Sequence, residues 1–176
     1  MNICEQNLVP DIYLKPGEAV ISEKAAIVST VLGSCISLTM FNIKSKIGAI
    51  CHNLLPVCRD KSMCNDNCHE AFRYVECTIQ RMVSEFTVRG IKKSEIEVKL
   101  FGGSDMFKIS GGKNNSATVG KQNVETALKI LSDLGIRVAA ADTGGSRGRK
   151  IIFCTQTGQV FLKRLNKTEI QIYDVK

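Results

Sequence analysis

Two residues carry the strongest suggestion of chemistry in this 176-residue chain: Cys35, which ends the run Leu32-Gly33-Ser34-Cys35, and His52, 17 positions later. A hydrolytic cysteine needs a thiol of lowered pKa, an imidazole within hydrogen-bond reach, and donors that meet the developing oxyanion. A cysteine placed just after Gly33 and Ser34, where a strand turns sharply, points its sulfur outward while the N–H groups of the turn converge on one point. His52 falls on the strand reached through the following hairpin, whose length returns it beside the turn. It closes the apolar run IGAIC and precedes Asn53, an edge-of-core position that suits a shifted pKa and partial solvent access. The competing reading is structural, because cysteine is among the most buried residue types and a single strand-end histidine commonly serves the core. A papain-like arrangement is excluded, since there the histidine follows the cysteine by well over a hundred residues.

The other cysteines sort by neighbourhood. Eight occur, at 4, 35, 51, 58, 64, 68, 77 and 154. The opening MNICEQNLVPD has neither a basic stretch nor an apolar stretch of a secretion signal, so a cytoplasmic location and reduced thiols are expected. Cys77 and Cys154 lie in apolar patterns, where free cysteine behaves as a small hydrophobe. Cys58, Cys64, Cys68 and His69 crowd into CRDKSMCNDNCHE and have the donor types of a zinc site. Three cysteines in one short loop without a second knuckle do not fit the usual structural spacing, so no metal is expected.

The elements that must position Cys35 and His52 can be read from periodicity. AAIVST, the VLGSC turn, and the strand pair ISLTMFN and KIGAICHN make the first third β-rich. Between Glu70 and Arg89, Phe72, Val75, Ile79, Met82, Val83 and Phe86 have helical spacing, with Gly90 as the stop. IEVKLFGG alternates as a strand. NVETALKILSDL is a second helix, with Val124, Ala127, Leu128, Leu131 and Leu134 inward and Gly135 at its end. Strands IRVAAA, KIIFCT, VFLKRL and EIQIYDV follow. Strands with two long helices imply an α+β domain in which helices cover a mixed sheet.

Composition bounds the rest. With 44% hydrophobic and 23% charged residues, collagenous, low-complexity and disordered readings are out, and the length suits a single domain spanning 1–176. No apolar run is long enough for membrane insertion. The net charge of +7 is concentrated, with seven basic residues and one acid between Arg137 and Lys167, which suits an acidic partner. At 6% aromatics and without a recognition-helix pattern, nucleic acid is not an expected partner. The pairs Gly102-Gly103 and Gly144-Gly145, the latter close to Arg147, lack the G-x-x-x-x-G-K-[ST] form of a phosphate loop and read as loops framing a protein substrate.

The blocks STVLGSC-ISLTMFN, KIGAICHNLLP, RYVECTIQRMVSEFTVRGI, VKLFGGSDMF, VGKQNVETALKILSDLGI, ADTGGSRGRKIIF and TGQVFLKRL, in that order from about Val20 to Leu165, resemble the CheD family of chemoreceptor glutamine deamidases. The resemblance implies a protein-glutamine deamidase acting on methyl-accepting chemotaxis receptors, sometimes also a methylesterase. It further implies a layered α/β/α fold with a mixed, largely antiparallel sheet, shared with a bacterial toxin deamidase. The nucleophile of the family's GSC motif corresponds to Cys35, and its base to His52. The hydroxyl residue that precedes GSC in the family falls by spacing on Ser29, with Thr30 beside it as the alternative. The cysteine-rich loop at about 57–69 departs from the family's short polar loop.

Such a site implies an acyl-enzyme mechanism: Cys35 attacks the side-chain amide, Gly33 and Ser34 lie in the oxyanion turn, and His52 serves as base and then acid. No cofactor is needed. The alternative from another class is a regulatory binding protein of the receptor or of a CheC-type phosphatase, partners that the resemblance also implies.

Overall fold

The computed structural model describes residues 9–59, 70–105 and 117–166. The central strands explain themselves from sequence. β4 (Ile36–Asn42) and β5 (Ile47–Cys51) are buried at every position, as expected of near-continuous apolar runs covered on both faces. Around them stand β1 (Asp11–Tyr13), β2 (Ala19–Ser22), β3 (Ile27–Leu32), β6 (Glu97–Gly102), β7 (Val138–Thr143), β8 (Arg149–Cys154) and β9 (Val160–Arg164). The helices are α1 (Val75–Thr87) and α2 (Val119–Asp133).

The strands form two sheets, ordered β1-β3-β8-β9 and β2-β5-β4-β6-β7. Pairing is mixed and largely antiparallel: only β1 with β3 and β6 with β7 run parallel. Both described helices lie on one face of the five-stranded sheet. Val75, Ile79, Met82 and Phe86 of α1 and Ala127 and Leu131 of α2 pack there on Leu38, Met40, Val98 and Leu100. The other face of that sheet meets the four-stranded sheet, where Ile50 and Phe101 pack on Val28, Leu32, Ile151 and Phe153. The α+β class and the layered mixed sheet therefore match expectation. Among the described residues the order of layers is helices, sheet, sheet, because the strands divide between two hydrophobic interfaces instead of sharing one.

Several local expectations shift. The first helix starts at Val75, with Phe72 in a preceding 3₁₀ turn, and Gly90 follows the helix with φ of 77°. α2 begins four residues earlier than Asn123, where the Thr118 hydroxyl accepts a hydrogen bond from the Lys121 N–H and caps it. Its buried stripe runs through Gly120, Asn123, Ala127 and Leu131, which leaves Leu128 44% exposed. β1 and β2 are not legible in the sequence: at three and four residues they are too short to show a period. Cys77 and Cys154 sit in α1 and β8, but Cys154 is disulfide-bonded rather than a free core thiol. EIQIYDV, Cys64, Cys68 and His69 lie outside the described residues, and so does the question of metal in that loop. Cys58, the described member, is buried. Among the described residues no helix is long and apolar enough to cross a membrane.

Candidate active site

Cys35 occupies the link between the two sheets: β3 belongs to one, β4 to the other, and Gly33, Ser34 and Cys35 span the gap. Three consecutive carbonyls of this link are held by hydrogen bonds. Gly33 O accepts from Ser104 N at 2.9 Å, Ser34 O from Asn123 Nδ2 at 3.1 Å, and Cys35 O from Gly103 N at 2.8 Å. In a trans peptide the C=O of one residue and the N–H of the next point in opposite directions. Anchoring the carbonyls of Gly33 and Ser34 therefore turns the N–H groups of Ser34 and Cys35 the other way. The Cys35 N–H accordingly faces its own sulfur. Two backbone donors aimed beside a thiol have the geometry that could receive an oxyanion.

The link packs tightly because glycines stand behind it. Gly102 has φ of 102°, and a Cβ there would lie 2.3 Å from Cys35 O. At Gly103 a Cβ would meet Val124 Cγ2 at 2.4 Å and Gly120 O at 2.8 Å. These two glycines let the end of β6 wedge between the Cys35 link and the start of α2. Gly144 and Gly145 differ: a Cβ at either meets open space, although both have φ of 71°. They lie in an outer loop whose backbone joins the wedge through Gly144 N to Gly102 O at 2.9 Å and Asp105 N to Gly145 O at 2.8 Å. Arg147 is exposed on that loop.

His52 stands beyond the end of β5. The β4–β5 register continues past the strands, with Ile36 and Asn53 exchanging both backbone hydrogen bonds at 3.1 and 2.8 Å. That register sets His52 opposite Ser37 and Cys35 opposite Leu54. Cys35 and His52 are thus diagonal neighbours on one face of the sheet, the face turned toward the other sheet. Diagonal Cα atoms in such a ladder are ~7–8 Å apart, with the Cβ atoms closer. The two side chains are not hydrogen-bonded to each other here, and catalytic contacts commonly close only when substrate arrives.

The imidazole is held by Thr30. Thr30 Oγ1 donates to Leu14 O at 2.8 Å and lies 2.7 Å from His52 Nδ1. A hydroxyl has one proton, and a carbonyl can only accept. When that proton is on Leu14 O, Nδ1–H is the donor to Thr30, the tautomer that leaves the lone pair on Nε2. The hydroxyl that reaches His52 is therefore Thr30's and not Ser29's. Along β3, Val28, Thr30 and Leu32 are the buried alternates, and Ser29 sits on the opposite face.

Electrostatics here differ from the sequence expectation in both groups. Burial pushes the Cys35 thiol above its ordinary pKa, against the opposing pull of its own backbone N–H. His52 is 3% exposed rather than partly open to solvent. Burial lowers its pKa from 6.5 to about 4, more than the Leu14 carbonyl and Glu18 can restore. Thiol and imidazole are both neutral at rest. Cys51, one residue from His52, is pushed up to about 12 by burial; its thiol donates to Asn53 Oδ1 at 3.1 Å. It is a core group, not a nucleophile.

Sequence reasoning missed three residues around the link. Asn123 reaches it from α2. Ser104 holds Gly33 through its N–H while its buried hydroxyl has no hydrogen-bond partner among the described residues. Arg149, 4% exposed, ties the outer loop together: Nε donates to Asp142 at 2.5 Å and a terminal nitrogen to Gly144 O at 2.6 Å. Desolvation works to raise the Asp142 carboxyl, but Arg149 and Arg164 hold it below its usual range. A polar asparagine on an apolar helix stripe is the signal that could have found Asn123. In sequence Arg149 is merely one member of a basic cluster, and nothing local distinguishes it.

Residues 54–164 match the family model CheD, described as CheD chemotactic sensory transduction. A Geobacter sulfurreducens protein named "Probable chemoreceptor glutamine deamidase CheD 2" is 48% identical over 161 residues, covering 92% of this chain and 94% of its own. A Maridesulfovibrio salexigens protein named "Probable chemoreceptor glutamine deamidase CheD" is 37% identical over 163 residues, covering 92% and 96%. Among solved structures, the Bacillus licheniformis hypothetical protein YfiH superposes with a TM-score of 0.44 at 11% identity, covering 73% of this chain and 51% of that one, a likeness too distant to bear on the site.

Proposed function

The chain belongs to the CheD family, and on that footing we propose that it is a protein-glutamine deamidase acting on methyl-accepting chemotaxis receptors in the cytoplasm. The observation that carries this reading is the placement on one face of the sheet of Cys35 and of an imidazole whose Nδ1 is held by Thr30, with the carbonyls of Gly33 and Ser34 anchored behind the thiol.

Because both groups rest neutral, the proton leaves the Cys35 thiol for His52 Nε2 as the sulfur attacks the glutamine amide carbon. The carbonyl oxygen becomes an oxyanion received by the N–H groups of Ser34 and Cys35. The imidazolium, steadied through Nδ1–H by Thr30, then gives its proton to the amide nitrogen, and ammonia departs from a thioester. His52 next takes a proton from water as that water attacks the thioester, and returns it to the sulfur to leave glutamate and a free thiol. A glutamate methyl ester would follow the same course with methanol as the leaving group. Gly144, Gly145 and Arg147 frame the substrate from the outer loop, whereas Gly102 and Gly103 shape the nucleophile link from behind.

The test is incubation of the purified protein with cytoplasmic receptor fragments, following ammonia release and the amide-to-acid mass change of glutamine peptides. Conversion that depends on Cys35 supports the reading. Conversion that persists in Cys35→Ala overturns the nucleophile assignment. Receptor binding without conversion in the unaltered protein replaces the reading with that of a regulatory binding protein, of the receptor or of a CheC-type phosphatase.

A further inference from the structure

We propose that Asn123 of α2 is the positioning residue that sets the oxyanion-binding geometry of the Cys35 link, an inference that rests on the deamidase reading above. Asn123 is fully buried, and both protons of its amide are used. One goes to Ser34 O at 3.1 Å and the other to Leu54 O at 3.0 Å. Ser34 immediately precedes the nucleophile, and Leu54 lies opposite Cys35 in the register that also carries His52. One side chain therefore clamps the two backbone segments that present Cys35 and His52, from the helix side of the sheet.

The consequence is directional. The Ser34–Cys35 peptide is a rigid plane, so pulling Ser34 O toward α2 drives the Cys35 N–H toward the opposite face, where the sulfur lies. A general packing residue would not need this chemistry. An aliphatic side chain fills space but leaves both carbonyls unsatisfied, and an acid of the same shape offers them oxygen against oxygen. The amide oxygen has no hydrogen-bond partner among the described residues, so what holds the side chain in place is its pair of donated bonds. The close approach of Gly103 and Gly120, whose Cβ positions would lie 2.4 Å from Val124 Cγ2 and 2.8 Å from Gly103 atoms respectively, brings the first turn of α2 near enough for the amide to reach.

The experiment compares Asn123→Ala and Asn123→Asp with the unaltered protein in two reactions. Deamidation of receptor fragments develops an oxyanion; alkylation of Cys35 by iodoacetamide does not. The expected result is a fall in kcat of about 10- to 100-fold with KM little changed, since a full oxyanion donor is worth about 10²–10³, while the Cys35 alkylation rate falls far less, by only what the displaced Cys35 N–H costs the thiolate. In Asn123→Asp, lowering the pH protonates the carboxyl and restores one donor, so its kcat relative to the unaltered protein rises as pH falls. Equal losses in alkylation and deamidation would overturn the inference in favour of general structural support. So would wild-type kcat in both variants. If either variant is unfolded by circular dichroism, Asn123→Ser, whose hydroxyl donates one bond, takes its place under the same two readouts. An unaltered protein that alkylates at Cys35 but converts no glutamine removes the deamidase premise and this inference with it, an outcome distinct from a loss confined to the variants.

Discussion

Thr30 Oγ1 lies 2.7 Å from His52 Nδ1 although Thr30 belongs to one sheet and His52 follows a strand of the other. The contact crosses the interface between the sheets and fixes the ring through Nδ1. Replacing Thr30 by Val should lower kcat on receptor glutamines by about 10²- to 10³-fold, a smaller loss than the ~10⁴ of a triad with its tautomer reversed. Thr30→Ser should keep most activity, and Ser29→Ala should leave kcat within about twofold. A Ser29→Ala loss as large as that of Thr30→Val would contradict the assignment of the orienting hydroxyl.

His52 links stability to pH in a defined window. Its folded pKa of about 4 lies below the ordinary 6.5, so the unfolded chain binds the proton first as pH falls. Stability from this group is complete above pH 6.5, declines between 6.5 and about 4, and falls no further below that. The full difference corresponds to about 3 kcal/mol. Urea unfolding at steps from pH 7.5 to 4.5 should show this slope in the unaltered protein and lose it in His52→Asn.

The Cys35 thiol, raised by burial, should react with iodoacetamide at pH 7 more slowly than free cysteine, and the rate should climb steeply at alkaline pH. Cys51, held near 12 and fully buried, should stay unmodified in the folded protein. Peptide mass spectrometry after timed alkylation reads both. Faster-than-free alkylation of Cys35 at neutral pH would instead mean a thiolate–imidazolium pair at rest.

The glycines separate by what stands next to them. Gly102→Ala places a Cβ 2.3 Å from Cys35 O at φ of 102°, so the link that carries Cys35 must shift, and kcat should fall by more than about tenfold. Gly145→Ala meets open space at φ of 71° and should cost only ~1 kcal/mol of backbone strain. Steady-state kinetics beside thermal unfolding distinguishes them.

Arg149 and Arg164 share Asp142 but not burial, with side chains 5% and 60% exposed. Removing the buried cation with Arg149→Met leaves Asp142 and Gly144 O without their inner partner and should cost about 3 kcal/mol. The looser outer loop should raise KM for receptor fragments. Arg164→Met should cost no more than ~1 kcal/mol. Chemical denaturation of the two variants gives the comparison.

Much of this is legible in the chain itself. β4, β5, β8, β9 and both helices announce themselves because their apolar spacing is local, and Leu32-Gly33-Ser34-Cys35 with His52 stands out because few residue types can do that chemistry. Family membership is carried by the order of the motif blocks. What the chain does not disclose depends on partners distant in sequence. Ser29 and Thr30 are adjacent in sequence and chemically alike; only the pairing of β3 with β8 and the seating of the two sheets decide which hydroxyl faces His52. The directions in which Cys35 and His52 are shifted reflect burial between layers, which no single segment encodes. Asn123 is one polar residue on a helix until the fold carries it to Ser34, 89 positions away. Local pattern specifies elements, whereas the hydrogen bonds that orient the Cys35 link and the His52 ring arise where elements meet.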